Sequence, residues 1–460
     1  METKDLPKAP SFWKILGPSF VFLGLSLGSG ELIMWPYLTA NFGLGIIWGA
    51  FLGITFQFFM NMEIERYALV FGESVFVGFR KLWRGWPIWF MFSTFIAWGL
   101  PGFSAASSQI LSRLFNFKNE ALIAVFLLVL VGVILSAGKS LYKTLETFQK
   151  TIIFLGIPFI FILCFLLTKF ADWQVFLAGI VGRGKGYLFL PEGISLMSFL
   201  GAFAYAGAGG NLNLAQSYYI KEKGYGMGKY AAKLKSLFSK ENQKMRLEGV
   251  TFPVNKENLS EFKKWWKIIN LEHLVIFWFL GFLTIALLSV LSYSLVYSRG
   301  GNLQGIGFFF NEALVIAQRL GKTFGIGFLV LGFFMLYSTQ LTVLESTSRM
   351  ISENFLLFSQ KSDRKGVNLS GGFYLALWGQ IFFGIVILLL GFKEPKSLLT
   401  LSAVINAFCM FIHLGLTYRL NRKFLPLQLR LGFFRKSVLL AAFIFFGVFS
   451  FLTLRQAFFP

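Results

Sequence analysis

Gly28-Ser29-Gly30-Glu31 and Gly207-Ala208-Gly209-Gly210-Asn211 interrupt two otherwise apolar stretches, each long enough to cross a bilayer. Glycine costs roughly 1 kcal/mol relative to alanine inside a helix, so such clusters need a reason. In lipid, irregular backbone survives only where protein or a water-lined cavity satisfies its N–H and C=O groups. Paired breaks at corresponding places in two halves of a chain point to the substrate site of a secondary transporter. Both clusters are therefore expected to unwind their helices.

Composition places the whole chain in a membrane. Its 460 residues are 56% hydrophobic and 14% charged, against about 25% charged in soluble domains. Apolar runs recur along nearly its full length and read as eleven spans, at 13–40, 44–69, 86–111, 120–137, 145–168, 194–219, 271–297, 324–350, 372–391, 397–418 and 437–454. The polar N-terminal residues show no cleavable-signal pattern, so span one is expected to be retained.

The net charge of +22 suits nucleic acid or a membrane surface equally well, but topology accounts for it. With a cytoplasmic N-terminus, most of the 43 Lys and Arg residues fall on cytoplasmic segments, as the positive-inside rule requires. The expectation is a multi-pass, monomeric protein of the plasma (inner) membrane, in contact with lipid and with no nucleic-acid partner. Spans one to five (13–168) and six to ten (194–418) are expected to form inverted repeats. That is the leucine-transporter-type 5+5 arrangement within a single all-α transporter domain, 1–460, with helix 437–454 added. The basic segment 221–267 reads as a solvated cytoplasmic loop against anionic lipid, with regulation or partner binding as the alternative. Alternation over Leu247–Val254 allows a short strand or hairpin there.

Enzyme chemistry has no foothold. The chain has no phosphate-cradling lysine loop, no H-E-x-x-H and no nucleophile elbow, so neither an enzyme nor a cofactor is expected. Cys164 and Cys409 lie within spans, without disulfide or metal-ligand spacing.

At the first break, carbonyls near Gly28 suit a cation, and N–H groups from Gly30 onward suit an anion. Glu31 is an ionisable group at mid-membrane, either a contact for substrate or proton or an acid that caps a half-helix. At the second break, Ala208, Gly209 and Gly210 offer backbone only, and Asn211 is either a helix cap or a ligand. Tyr205 is placed to close over a substrate or to pack. Gln57 shares a face of span two with Asn61 one turn on. Near one end of the bundle, Glu345 and Arg349 form an i,i+4 pair on span eight. Glu65 and Arg66 lie at similar depth on span two, so the four are either a set of interface-level ion pairs with no gating role or candidates for a sealing ionic network. His273 and His413 stand far apart in sequence, which argues against a histidine-rich metal site.

Gly17-Pro18-Ser19-Phe20 before the first break resembles the Nramp (natural resistance-associated macrophage protein) family of divalent metal transporters. Glu65-Arg66-Tyr67-Ala68, Gly72-Glu73 and Asn211-Leu212 are similar to that family too. The resemblance implies alternating access and a substrate site between spans one and six. It also marks departures. The family's Asp-Pro-Gly-Asn is replaced by Gly28, Ser29, Gly30 and Glu31, and its Met-Pro-His-Asn by Ala208, Gly209, Gly210 and Asn211. Its two span-three acids align with Gly99 and Gly102.

Two substrate classes follow. An oxygen-only site of Glu31 with carbonyls of Gly28 and Ala208 suits a hard divalent cation. The Gly-Ser-Gly break alternatively resembles the first-span motif of amino-acid transporters, whose N–H groups hold a carboxylate, so a small organic solute is the alternative.

Overall fold

A computed structural model of the chain describes all residues except 1, 13–14, 16, 138–140, 232–246, 304, 360–368 and 459–460. For 29, 141–143 and 457–458 it describes the backbone alone. Among the described residues, ten helices are long and apolar enough to cross a membrane: Pro18–Phe42, Leu44–Phe71, Trp86–Phe115, Glu120–Ala137, Thr144–Leu167, Lys256–Val296, Lys322–Ser359, Leu369–Leu389, Pro395–Phe424 and Phe433–Gln456. These are spans one to five and seven to eleven. Span six is the exception, split into Leu196–Ala204 and Gln216–Lys223 by an irregular turn and a 3₁₀ segment, Gly210–Ala215.

Burial sorts the spans by position. The apolar window of span one is wholly buried, whereas spans four and eleven turn most of theirs outward. Large apolar side chains such as Phe126, Phe165, Leu375 and Phe451 are exposed. That is what a lipid-facing surface requires, since no hydrophobic force drives them inward there. Spans one and six occupy the centre, where neighbouring spans can satisfy irregular backbone.

Span one departs from the expectation. It does not unwind at 28–31 but continues through wide π-helical turns, Leu27–Met34, with the Trp35 N–H donating to the Gly30 carbonyl. Its glycines serve close approach instead. A Cβ on Gly30 would lie 1.6 Å from the Tyr205 carbonyl oxygen of span six. One on Gly28 would meet Thr339 of span eight at 2.8 Å, and one on Gly24 would meet Gln149 of span five at 2.1 Å. A π-turn leaves local backbone groups short of partners. Thr339 Oγ1 answers this by accepting from Gly28 N at 3.0 Å and donating to Gly24 O at 2.9 Å.

Span six does break as expected. Gly209 and Gly210 take φ of +76° and +55°, a region glycine enters without steric cost. Span three kinks between its helices Trp86–Trp98 and Gly102–Phe115. The positions of the missing acids, Gly99 and Gly102, pack there against Phe383 and Leu399.

The 221–267 segment is shorter as a loop than its polarity suggested. Helix starts at Lys256, capped by Asn255 Oδ1 accepting from Asn258 N at 2.8 Å. It buries Phe262, Trp265 and Ile269, with Trp265 Nε1 donating to the Pro7 carbonyl at 2.7 Å. No hairpin forms over Leu247–Val254. Thr251 instead bridges to Thr3 in parallel, its carbonyl accepting from Lys4 N and its N–H donating to the Glu2 carbonyl. The basic centre of the segment, 232–246, lies outside the described residues.

Candidate functional site

The break in span six is held by side chains from three other spans. Gln57 of span two spans it, its Nε2 donating to Ala204 O at 3.0 Å and its Oε1 accepting from Gly209 N at 3.1 Å. This is how a buried carboxamide replaces the lost helical partners of unwound backbone. His413 of span ten lies 2.9 Å from Gly210 O through Nε2. Tyr205 stacks on Trp98 with ring centroids 5.4 Å apart. Its hydroxyl lies 2.8 Å from Ser402 Oγ and accepts from Asn406 Nδ2 at 3.2 Å.

Asn211 is not a helix cap. Its Nδ2 donates to Ser93 Oγ at 2.8 Å and Thr94 Oγ1 at 2.9 Å on span three, and the 3₁₀ segment starts after Gly209 with no side-chain cap. Ser93 also hydrogen-bonds the Cys409 thiol of span ten. Three fully buried carboxamides around this break keep oxygens without partners: Asn211 Oδ1, Asn406 Oδ1 and both polar atoms of Asn213. Such groups are costly inside proteins; they occur elsewhere in the bundle too, at Gln149, Asn354 and Gln380 among others, and here they leave the break with unused acceptors for a polar group.

Glu31 is fully buried but turned the other way. Its Oε1 accepts from Ser26 Oγ at 2.6 Å and lies beside Gly281 of span seven, and its Oε2 has no partner. The structure therefore does not gather Glu31, Gly28 and Ala208 into one cage. Gly28 faces span eight, Glu31 faces span seven, and Ala208 is buried in the span-six turn. The side chain of Ser29 lies outside the described residues. Among the described residues no cluster of three His, Cys, Asp or Glu could hold a metal ion.

The four ionic candidates separate as well. Arg349 joins Glu345 at 3.0 Å, as the i,i+4 spacing implied, and ties span eight to span six through Glu222 at 2.8 Å. Arg66 instead chelates Glu63 at 2.8 and 2.9 Å and lies 3.9 Å above the Trp266 ring. Glu65 accepts from Gln216 of span six and lies 3.5 Å from His273 of span seven. The reason is helical geometry: adjacent residues diverge by about 100° around a helix, so Glu65 and Arg66 meet different neighbours.

Sequence reasoning missed His413, Asn406, Ser93 and Thr94 at the break, since spacing along one chain says nothing of which spans cross. The only signal was their polarity inside apolar runs.

No protein-family model matches the chain, and none of the curated proteins matches it. Solved structures do. Two crystal structures of mutants of the Eremococcus coleocola manganese transporter align with a TM-score of 0.69 at 14% identity, covering 100% of this chain and 91% of that one. Mhp1, a nucleobase-cation-symport-1 family transporter with bromovinylhydantoin bound, aligns with a TM-score of 0.55 at 12% identity, over 99% and 96% of the two chains. MhsT in complex with L-phenylalanine aligns at 0.52 and 14%, over 95% and 98%. Likeness at these identities is a likeness of fold. The chain is an all-α membrane protein of the leucine-transporter type.

Proposed function

We propose that this protein is a secondary transporter that carries a small solute by alternating access, through a site where the broken sixth span crosses span one. The observation that supports it is the turn at 205–209, bridged at the centre of the bundle by Gln57 and edged by carboxamides with unpartnered oxygens. A broken helix lets its two halves move separately, which an intact span resists. We place the N-terminus in the cytoplasm, from the distribution of basic residues.

The substrate we favour is a hard metal cation. Glu31 contributes negative charge, with one carboxylate oxygen uncommitted, and backbone oxygens of Gly28 and Ala208 would complete an oxygen-only set only in a second state, in which spans one and six have moved relative to one another. Oxygen donors favour Mg²⁺, Ca²⁺ or Mn²⁺ over softer ions. A small organic solute is the second reading, favoured by the neutral hydrogen-bonding groups of Tyr205, Asn211, Asn213 and Asn406. Uptake by proteoliposomes of labelled divalent ions and of an amino-acid panel tests both. Ion uptake supports the first, solute uptake the second, and uptake of neither removes the transport reading from these classes.

A further inference from the structure

Away from that crossing, span seven carries two adjacent buried ionisable groups, Glu272 and His273, pressed against spans one, two and six. Glu272 acts on the start of span one. Its Oε1 accepts from Gly17 N at 3.4 Å and Ser19 N at 3.2 Å, and its Oε2 accepts from Ser19 Oγ. A carboxylate from one helix thus caps the N-terminus of another, where the helix dipole favours negative charge.

His273 extends this contact into a directed chain. Asn61 Nδ2 lies 3.3 Å from His273 Nε2, which makes Nε2 the acceptor and puts the ring proton on Nδ1. Nδ1 then faces Ser19 Oγ at 2.9 Å and Glu65 Oε1 at 3.5 Å. Glu65 accepts from Gln216 of span six and leaves Oε2 unpartnered. The imidazole itself lies between the rings of Phe58 and Phe277, at 5.6 and 4.6 Å, faces that attract a cation.

Proton counting decides what this cluster is for. Glu65, Glu272 and His273 are all at most 2% exposed, and among the described residues neither acid has a Lys or Arg at ion-pair distance. The charged groups packed around them are committed elsewhere. Lys223 pairs with Glu146 at 2.8 Å, Arg435 binds Asn270 and lies 3.6 Å from Glu63, and the Tyr225 hydroxyl donates to the Ile15 carbonyl. With both carboxylates ionised beside a neutral imidazole, two negative charges would be buried with only neutral donors around them, three on Glu272 and Gln216 on Glu65. A buried charge without an ionic partner costs several kcal/mol. The cluster must hold at least one proton, shared among three groups that titrate together.

We propose that Glu65, His273 and Glu272 form a proton-binding site whose loading releases the N-terminal end of span one from span seven. Beyond the proton it already holds, the cluster takes a second one from solvent, which neutralises Glu272 and weakens its three contacts to Gly17 and Ser19. Loss of the proton restores the cap. Calling the proton a coupling ion rests on the transport reading; the binding site does not.

Hydrogen–deuterium exchange of the full-length protein in nanodiscs tests this without any substrate. After correction for intrinsic rates, protection of amides at 17–23 is expected to fall at least about tenfold between about pH 8 and about pH 5. Glu272→Gln is expected to give weak, pH-independent protection there, with span-eight amides unchanged. His273→Gln is expected to move the midpoint by about one unit. Flat wild-type protection, or a Glu272→Gln profile like wild type, would overturn the proposal. Should Glu272→Gln not remain monodisperse, the wild-type curve and Glu65→Gln decide, with Glu65→Gln expected to shift the midpoint and an unshifted midpoint counting against the site. Flat protection with solute uptake intact sinks the proton site alone. Proton-linked protection with no uptake of any solute sinks the transport reading alone.

Discussion

Gln57 Oε1 accepts the Gly209 N–H at 3.1 Å while its own nitrogen donates to Ala204 O, so one side chain of span two closes both edges of the gap in span six. Leaving a buried backbone group unpaired costs about 1–3 kcal/mol. Gln57→Leu strands two such groups, and a loss of about 4 kcal/mol is expected in thermal unfolding of the detergent-purified protein. Gln57→Glu retains the acceptor for Gly209 and should cost less. Equal, small effects from both would mean that the break is satisfied by other means.

Gly30 is the least replaceable glycine of span one. An added Cβ 1.6 Å from the Tyr205 carbonyl meets backbone, so Gly30→Ala must push the two central spans apart. Folded yield is expected to collapse. Gly24→Ala meets only the movable end of Gln149 and should be milder, and Gly300→Ala, which has nothing within 4 Å, should be neutral. Size-exclusion profiles of the three variants give this order or refute it.

Glu31→Gln separates a site from a scaffold. As a substrate contact, Glu31 matters through its charge, and uptake per folded molecule is expected to fall at least about tenfold, a loss of about 1.4 kcal/mol in transition-state binding. The oxygen that accepts from Ser26 survives the change, so folded yield should move little. Unchanged uptake by monodisperse protein would remove Glu31 from the mechanism.

Because Arg66 and Arg349 share no partner, their effects should add. Arg66→Gln removes the nearer of the two guanidinium groups at Glu63, and Arg349→Gln removes an ion-pair partner from both Glu345 and Glu222. Removing one member of a buried pair costs about 3–5 kcal/mol. Unfolding of the double variant is expected to equal the sum within about 0.5 kcal/mol. A larger coupling energy would restore a single network.

Selectivity is expected to disfavour soft ions, since neither break carries Met, Cys or His. The fold does bring Cys409 and His413 to the edge of the second break. Calorimetry should show Cd²⁺ bound no more tightly than Mn²⁺. A Cd²⁺ preference abolished by Cys409→Ser would reverse this and place that thiol in the site.

The number and order of spans follow from the sequence alone, because a bilayer demands about 20 apolar residues per crossing and tolerates few charges. The same requirement marked the polar exceptions, Gln57, Glu31 and Glu345 among them, as residues with work to do. What a glycine cluster does is a different matter. A glycine is both permissive and small, and the sequence does not distinguish the two uses. At 209–210 the first use decides, since both glycines take positive φ and Gln57 and His413 stand opposite to receive the freed backbone, although Asn406 also crowds Gly210. At 28–30 the second prevails, since the Tyr205 carbonyl and Thr339 press close enough to need the missing Cβ. Asn211, Glu65 and His273 tell the same story: their types were legible, their partners were not. Hydropathy is a property of one segment, but a contact belongs to two, and only the packed bundle decides which two meet.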